Sequence, residues 1–224
     1  MIVENKTKTE YKQADTQRRD SAFYRFIKRA FDIAFSLCAI AALWLPMLVI
    51  AVLIKAEDGG TVLYAANRVG HNGKTFPMWK FRSMKSSADC LEDSLTKEQL
   101  EQYLLEFKIE NDPRVTKIGR FLRKTSLDEL PQFFNVLFGQ MSVVGVRPIV
   151  EDELNYYAEN RAEFLSVKPG ITGYWQAYAR NTVGYRDGKR QEMELHYVRH
   201  RSLRLDIKIL FATVRRVVSG DGAI

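Results

Sequence analysis

Asp128 and Glu129 stand side by side in the stretch TSLDELPQFFNVLFGQMSVVGVRP, residues 125–148. Arg120 and Arg123 precede them closely. A positioned, ionised carboxylate can attack as a nucleophile or bind Mg²⁺. Its neighbour could share the ion or handle a proton. A purely structural role competes with this. Ser126-x-x-Glu129 matches a capping box, and acids favour helix N-termini. Pro131 strains that account: with Ser126 as N-cap it falls at the fifth helical residue, where a backbone donor is needed. An N-cap at Asp128 leaves Pro131 inside the tolerated first turn and predicts an Asp128 that stays ionised at the positive helix end. From the residues alone, capping and catalysis both stand.

The elements that must hold this pair begin with a polar stretch, residues 1–24, which reads as a mobile tail without a signal-peptide pattern. From Ile33 to Ile54 runs IAFSLCAIAALWLPMLVIAVLI, twenty-two residues without a charge. That is enough for a membrane helix, which needs about 20. Pro46 inside the run removes a backbone donor and is expected to bend or break the helix. Both flanks are basic, with Arg25, Lys28 and Arg29 before the run and Lys55, Arg68 and Lys74 after it. Basic flanks favour the cytoplasm, so a helix over 25–56 that enters, turns at Pro46 and returns to the same leaflet is expected. Residues 57–224 are expected to form the domain that carries the carboxylate pair, a catalytic domain if the pair reacts.

Within that domain Asn72-Gly73 predicts a hairpin turn, with strand-like alternation through Phe76, Met78, Lys80 and Arg82. Helices are expected over 88–110, 114–124 and 151–165. In the last amphipathic stretch Leu203, Ile207, Leu210, Val214 and Val217 share one face, flanked by Arg204, Lys208 and Arg215. Such a helix can lie in a membrane interface or simply on a protein surface. Asp206 sits at the border of the apolar face and needs a partner or a role in a site. The predicted class is therefore α+β and mostly helical, with a re-entrant membrane helix broken at Pro46, a small β-hairpin, and amphipathic interfacial helices around a cytosolic active site.

Composition agrees with anionic partners. The chain has 224 residues and a formal net charge of +7. Its two cysteines, Cys38 and Cys90, lack metal-ligand spacing and read as unpaired thiols. Nucleic acid is not an expected partner, because the aromatics fall mostly in apolar runs and no stacking groove is suggested.

Longer motifs carry a resemblance. KRAFDI (28–33), KFRSM (80–84), NDPRVTKIGRFLRKTSLDELPQ (111–132), NVLFGQMSVVGVRP (135–148), KPGITGYWQ (168–176) and LRLDIKI (203–209) resemble the bacterial sugar transferase family. Its members are monotopic phosphoglycosyl transferases, and the exopolysaccharide-initiating hexose-1-phosphate type is the nearest. The resemblance implies transfer of a sugar phosphate from a UDP-sugar to polyprenol (undecaprenyl) phosphate, giving a polyprenyl-diphosphate-sugar and UMP. Galactose or glucose is the expected sugar. It implies that Asp128 is the nucleophile of a ping-pong reaction and that Asp128 and Glu129 hold Mg²⁺. Lys80, Arg123, Arg147, Arg180 and Asp206 match functional positions expected to bind substrate. The implied location is the bacterial inner membrane, with the catalytic domain facing the cytosol and downstream glycosyltransferases as further partners.

The chain departs from the family pattern at Leu45 before the membrane break, Val146 in Gly-Val-Arg-Pro, Lys168 before Pro-Gly, and Ala179 before Arg-Asn. Lysine in place of arginine loses planar, two-pronged anion binding. These departures keep an alternative in view, a catalytically weak membrane scaffold of a polysaccharide assembly complex.

Overall fold

The computed structural model describes residues 20–85, 112–180, 182–185 and 187–219, together with 95–96, 99–100 and 109. Most of the expected tail and nearly all of the expected 88–110 helix lie outside the described residues. Helix α1 spans Ala22–Asp58, so it begins before residue 25 and ends after residue 56. Ser21 caps it, its hydroxyl accepting the N–H of Tyr24 at 3.1 Å. Helical structure continues on both sides of Pro46, which does not end the helix.

Strands β1 (Leu63–Val69) and β2 (Thr75–Phe81) pair antiparallel, with Asn72 and Gly73 at positive φ in the turn between them. This is the expected hairpin. Helix α2 (Lys117–Thr125) follows the Asp112-Pro113 turn. Thr116 caps it, and an Asp112–Arg114 ion pair of 2.7 Å braces the turn. Then come a 3₁₀ turn over Leu127–Glu129, α3 (Gln132–Leu137) and β3 (Ser142–Val144). The expected 151–165 helix is divided between 3₁₀ turns over Asp152–Asn160 and α4 (Arg161–Phe164), with Ala158 at a non-helical φ of 40°. Next are β4 (Gly170–Thr172), which lies parallel to β3, and helices α5 (Tyr174–Ala179), α6 (Lys189–His200) and α7 (Leu203–Ser219). Among the described residues the result is a mostly helical α+β fold with two small sheets.

One apolar core joins the two sheets, α3, the 3₁₀ segment, α6 and α7, with Val136, Met141, Ile149, Leu154 and Ile209 fully enclosed. A second, smaller core clamps Ile50 and Ile54 of α1 against Phe81 and Leu122. Along α1 the buried residues are Asp32, Ser36, Ile50 and Ile54. These fall on one stripe of a 3.6-residue helix. Around the stripe Leu37, Trp44, Leu45, Leu48, Val49 and Val52 are exposed. α1 is long and apolar enough to cross a membrane, and only 11% of its most apolar window is buried in the protein. A helix in a soluble core would be buried on most of its apolar surface.

Both ends of α1 are fastened to the same body. Near its start Asp32 accepts the Val143 N–H at 2.9 Å and the Ser142 hydroxyl at 3.0 Å. Arg29 donates to the carbonyls of Val136 and Leu137 at 2.6 and 2.7 Å. Near its end Glu57 accepts the Lys117 N–H at 2.9 Å, and Asp58 accepts from the Arg82 guanidinium at 2.8 Å.

The apolar face expected on α7 is divided in two. Asp206 and Ile209 point into the protein with Leu205 and Leu210 beside them, while Ile207, Phe211, Val214 and Val217 are exposed. The exposed side alone is available to another surface.

Candidate active site

Alternation along β2 sends Phe76 and Met78 into the core. Lys80 continues on their side of the strand. Its ammonium lies 2.9 Å from Glu129 Oε1 and 3.8 Å from Asp128 Oδ2. The carboxylates are brought there by a chain reversal. Ser126 closes α2 in the left-handed region at φ 57°, and the 3₁₀ turn follows at once. Neither expected cap forms. Ser126 makes no side-chain cap on that turn, and the residue before α3 is Pro131, not Asp128. The two carboxylates therefore do not start an α-helix, and the physical basis for expecting a permanently ionised Asp128 changes.

Asp128 is 7% exposed. Burial, joined by the charge of Glu129, pushes its carboxyl above the ordinary range, with Lys80, Arg123 and Arg180 pulling the other way. Glu129 goes the opposite way. Burial also opposes its charge, but Lys80, Arg180 and Arg147 outweigh that and hold it down to about 2. Charge is thus fixed on Glu129, while Asp128 is the more basic member of the pair.

Arg123 reaches the pair from α2 and is oriented by Ser83, whose hydroxyl accepts its Nε–H at 2.9 Å. Gly119 allows this, because a Cβ there would collide with the Ser83 backbone. Arg147 follows β3, and its guanidinium lies 5.7 Å from the Trp175 ring centroid. Arg180, at the end of α5, acts on both Glu129 and Asp128, and Arg147 acts on Glu129. The structure therefore brings together Lys80, Arg123, Asp128, Glu129, Arg147 and Arg180 from five separate segments. Among the described residues, Lys80, Arg123, Arg147 and Arg180 face the two carboxylates, a surplus of positive charge that suits an anionic ligand.

Asp206 is placed differently. It accepts from Lys28 at 2.8 Å, Tyr197 at 2.9 Å and Tyr24 at 3.3 Å. These bonds fasten α7 to the foot of α1, and none of them is to the carboxylate pair. The charge at the border of the apolar face is paired with Lys28.

Several supporting residues gave no signal of their role in the sequence. Glu194 is fully buried and both its oxygens accept the Arg147 N–H at 3.3 Å. Arg190 lies over Trp175 and Tyr185, 4.2 and 3.9 Å from their ring centroids. Their i, i+4 spacing on α6 marks one helix face, but charged residues on a helix ordinarily suggest solvent. Ser83 was equally silent, because its partner is forty residues away.

Asp128 and Glu129 fit a hard cation. Mg²⁺ commonly takes one or two protein carboxylates together with water and substrate phosphates. Among the described residues no larger His, Cys, Asp or Glu cluster offers a full protein cage.

Fold and site together define a class: a protein with a long apolar N-terminal helix and a buried Asp128 beside a partly buried Glu129, under cations suited to a polyphosphorylated ligand. The chain belongs to the bacterial sugar transferase family, whose profile matches residues 23–220. It is 46% identical over 202 residues to the undecaprenyl-phosphate galactose phosphotransferase of Salmonella typhimurium, covering 89% of this chain and 42% of that protein. Identity and coverage are the same for the UDP-galactose-lipid carrier transferase of Erwinia amylovora. The exopolysaccharide production protein ExoY of Sinorhizobium fredii is 41% identical over 199 residues, covering 88% of this chain and 87% of that protein. The chain thus spans less than half the length of the Salmonella and Erwinia relatives and most of the Sinorhizobium one.

Proposed function

We propose that this protein transfers a sugar 1-phosphate from a UDP-sugar to polyprenol (undecaprenyl) phosphate, releasing UMP, as the first membrane step of exopolysaccharide synthesis. The observation that carries this reading is the Asp128–Glu129 pair with Lys80 across it and three arginines converging on it. The cations suit the diphosphate of the donor, which brings about two negative charges that guanidinium groups bind well. Relatives named for undecaprenyl-phosphate and UDP-galactose support the acceptor and the donor class. Galactose or glucose is the proposed sugar, and those names favour galactose.

The chemistry assigned to the chain has two steps. An Asp128 oxygen attacks the sugar-linked phosphorus, and the bond from that phosphorus to the bridging oxygen breaks. UMP leaves with the bridging oxygen, and the sugar phosphate stays on Asp128. An oxygen of the lipid phosphate then attacks the same phosphorus, the Asp128–phosphorus bond breaks, and the carboxylate is restored. The more basic carboxylate is the better nucleophile once ionised. Glu129 keeps its charge and holds Lys80 in place, while Arg123, Arg147 and Arg180 orient the phosphates. Asp128 and Glu129 would hold Mg²⁺, which when bound supplies positive charge against the diphosphate.

The membrane reading is that α1 enters and leaves one leaflet, with the catalytic part on the cytosolic side of the inner membrane. Its two ends bind the same globular body through Asp32 and Glu57. A crossing helix would put these two attachments on opposite faces of the membrane, and the body they share would have to pass through the hydrocarbon core with it. The exposed Ile207, Phe211, Val214 and Val217 side of α7 suits an interfacial position. A cysteine introduced as Asn5→Cys should resist an impermeant thiol reagent added from the periplasm; labelling there would exclude re-entry.

The activity test is UMP release from a panel of UDP-sugars in detergent with undecaprenyl phosphate and Mg²⁺. Wild type should turn over one or two sugars, and Asp128→Asn should abolish turnover. No UMP from any UDP-sugar would remove the proposed reaction.

A further inference from the structure

At the other end of α3 from the carboxylates lies a second concentration of positive charge. Gly139 follows α3 at φ 76°. A Cβ built on it would lie 3.5 Å from Arg29 Nη2 and 3.6 Å from Lys168 Nζ. The two cations therefore face one nook that only the missing side chain leaves open. Neither charge is neutralised by a direct ion pair among the described residues. The Arg29 bonds described go to the uncharged carbonyls of Val136 and Leu137. Lys168 is half-buried and makes no hydrogen bond or ion pair among those residues. The nearby anions are engaged elsewhere: Asp206 by Lys28, and Asp32 by Ser142 and Val143. Burial lowers the Lys168 ammonium, and Arg29 and Lys28 lower it further, with Asp32 alone opposing them. Bringing an anion into the nook would relieve this crowding.

We propose that Arg29 and Lys168, converging over Gly139, bind the phosphodiester headgroup of an anionic phospholipid at the foot of α1. The depth is right for a headgroup, because Arg29 precedes the uncharged run that starts at Ile33 by four residues. Apolar surface for the acyl chains adjoins it, with Phe138 66% exposed and Phe31 and Phe35 each 39% exposed. The site is separate from the reaction centre. The span of α3 and its flanks puts on the order of 10 Å of helix between Gly139 and the carboxylate pair. The inference rests on the membrane reading of α1 and not on the transfer reaction.

The test is thermal unfolding of the detergent-purified full chain with dihexanoyl phosphatidylglycerol, dihexanoyl phosphatidylcholine or inorganic phosphate. Near ten times the dissociation constant, phosphatidylglycerol should raise the midpoint by about 4 °C. Phosphatidylcholine and inorganic phosphate should give little of that rise. Lys168→Gln should lose it and Lys168→Arg should keep it. Arg29 is left intact because it also holds the end of α3. An equal response to phosphatidylcholine, an undiminished response in Lys168→Gln, or a full shift with inorganic phosphate would each overturn the site. Membrane extraction of wild type, run alongside, reports on the α1 reading separately. A chain that still requires detergent but ignores phosphatidylglycerol loses only the headgroup site.

Discussion

Replacing Glu194 with glutamine should stabilise the protein at pH 8 and leave it almost unchanged near pH 4.5. Glu194 is fully enclosed on α6, and burial pushes its carboxyl from 4.5 up to about 7 despite the opposing pull of Arg190 and Arg147. The folded protein therefore holds a proton that the unfolded chain has released. Between those two values stability falls as pH rises. The stabilising difference is fully present below 4.5 and is lost as pH passes through about 7. At about 1.4 kcal/mol per unit, the whole displacement corresponds to roughly 3 kcal/mol. Glutamine cannot ionise, and its carbonyl can still accept the Arg147 N–H. For a chain of this size the gap in unfolding midpoint between Glu194→Gln and wild type should thus grow by about 6–12 °C from pH 4.5 to pH 8. Differential scanning fluorimetry in detergent across that range measures it. A gap that stays constant, or one that favours wild type increasingly at high pH, would refute the reasoning.

Lys80→Met removes the cation nearest both carboxylates, so the acid limb of UMP release in kcat/KM should move up by about 1 pH unit, while Lys80→Arg leaves it nearly in place. A pH–rate series on the three proteins decides this. Lys28→Met strands the Asp206 carboxylate with two tyrosine hydroxyls, and loss of one partner of such a buried pair should cost about 3 kcal/mol. Urea unfolding should show that loss, and Asp206→Asn added to Lys28→Met should recover part of it.

Local chemistry made some of this architecture readable. Asn72-Gly73 specified the hairpin because its two residues adopt positive φ, and alternation along β2 placed Lys80 on the inward side. The uncharged run to Ile54 announced α1. Its attachment at both ends depends on Ser142, Val143 and Lys117, far away in sequence, and could not be seen. The strands β3 and β4 have three residues each, too few for a periodicity to register. The Asp128–Glu129 pair was conspicuous, but the 3₁₀ turn that presents it follows from Ser126 in the left-handed region, where serine is uncommon. Convergence of Arg147 and Arg180 on the pair came from family resemblance, since no spacing rule relates residues 129, 147 and 180. Asp206 shows the opposite case: the oddity was visible, and only the position of Lys28 explains it.

The central claim is that Asp128 becomes bonded to phosphorus during turnover. Wild type incubated with a UDP-sugar and Mg²⁺, without polyprenol phosphate, then quenched in acid and analysed by intact-protein and peptide mass spectrometry, tests it directly. The account predicts a mass increase of one sugar phosphate on the peptide containing Asp128, released when polyprenol phosphate is added and missing from Asp128→Asn. An active wild type that carries no such adduct, and forms UMP only when both substrates are present, would contradict it.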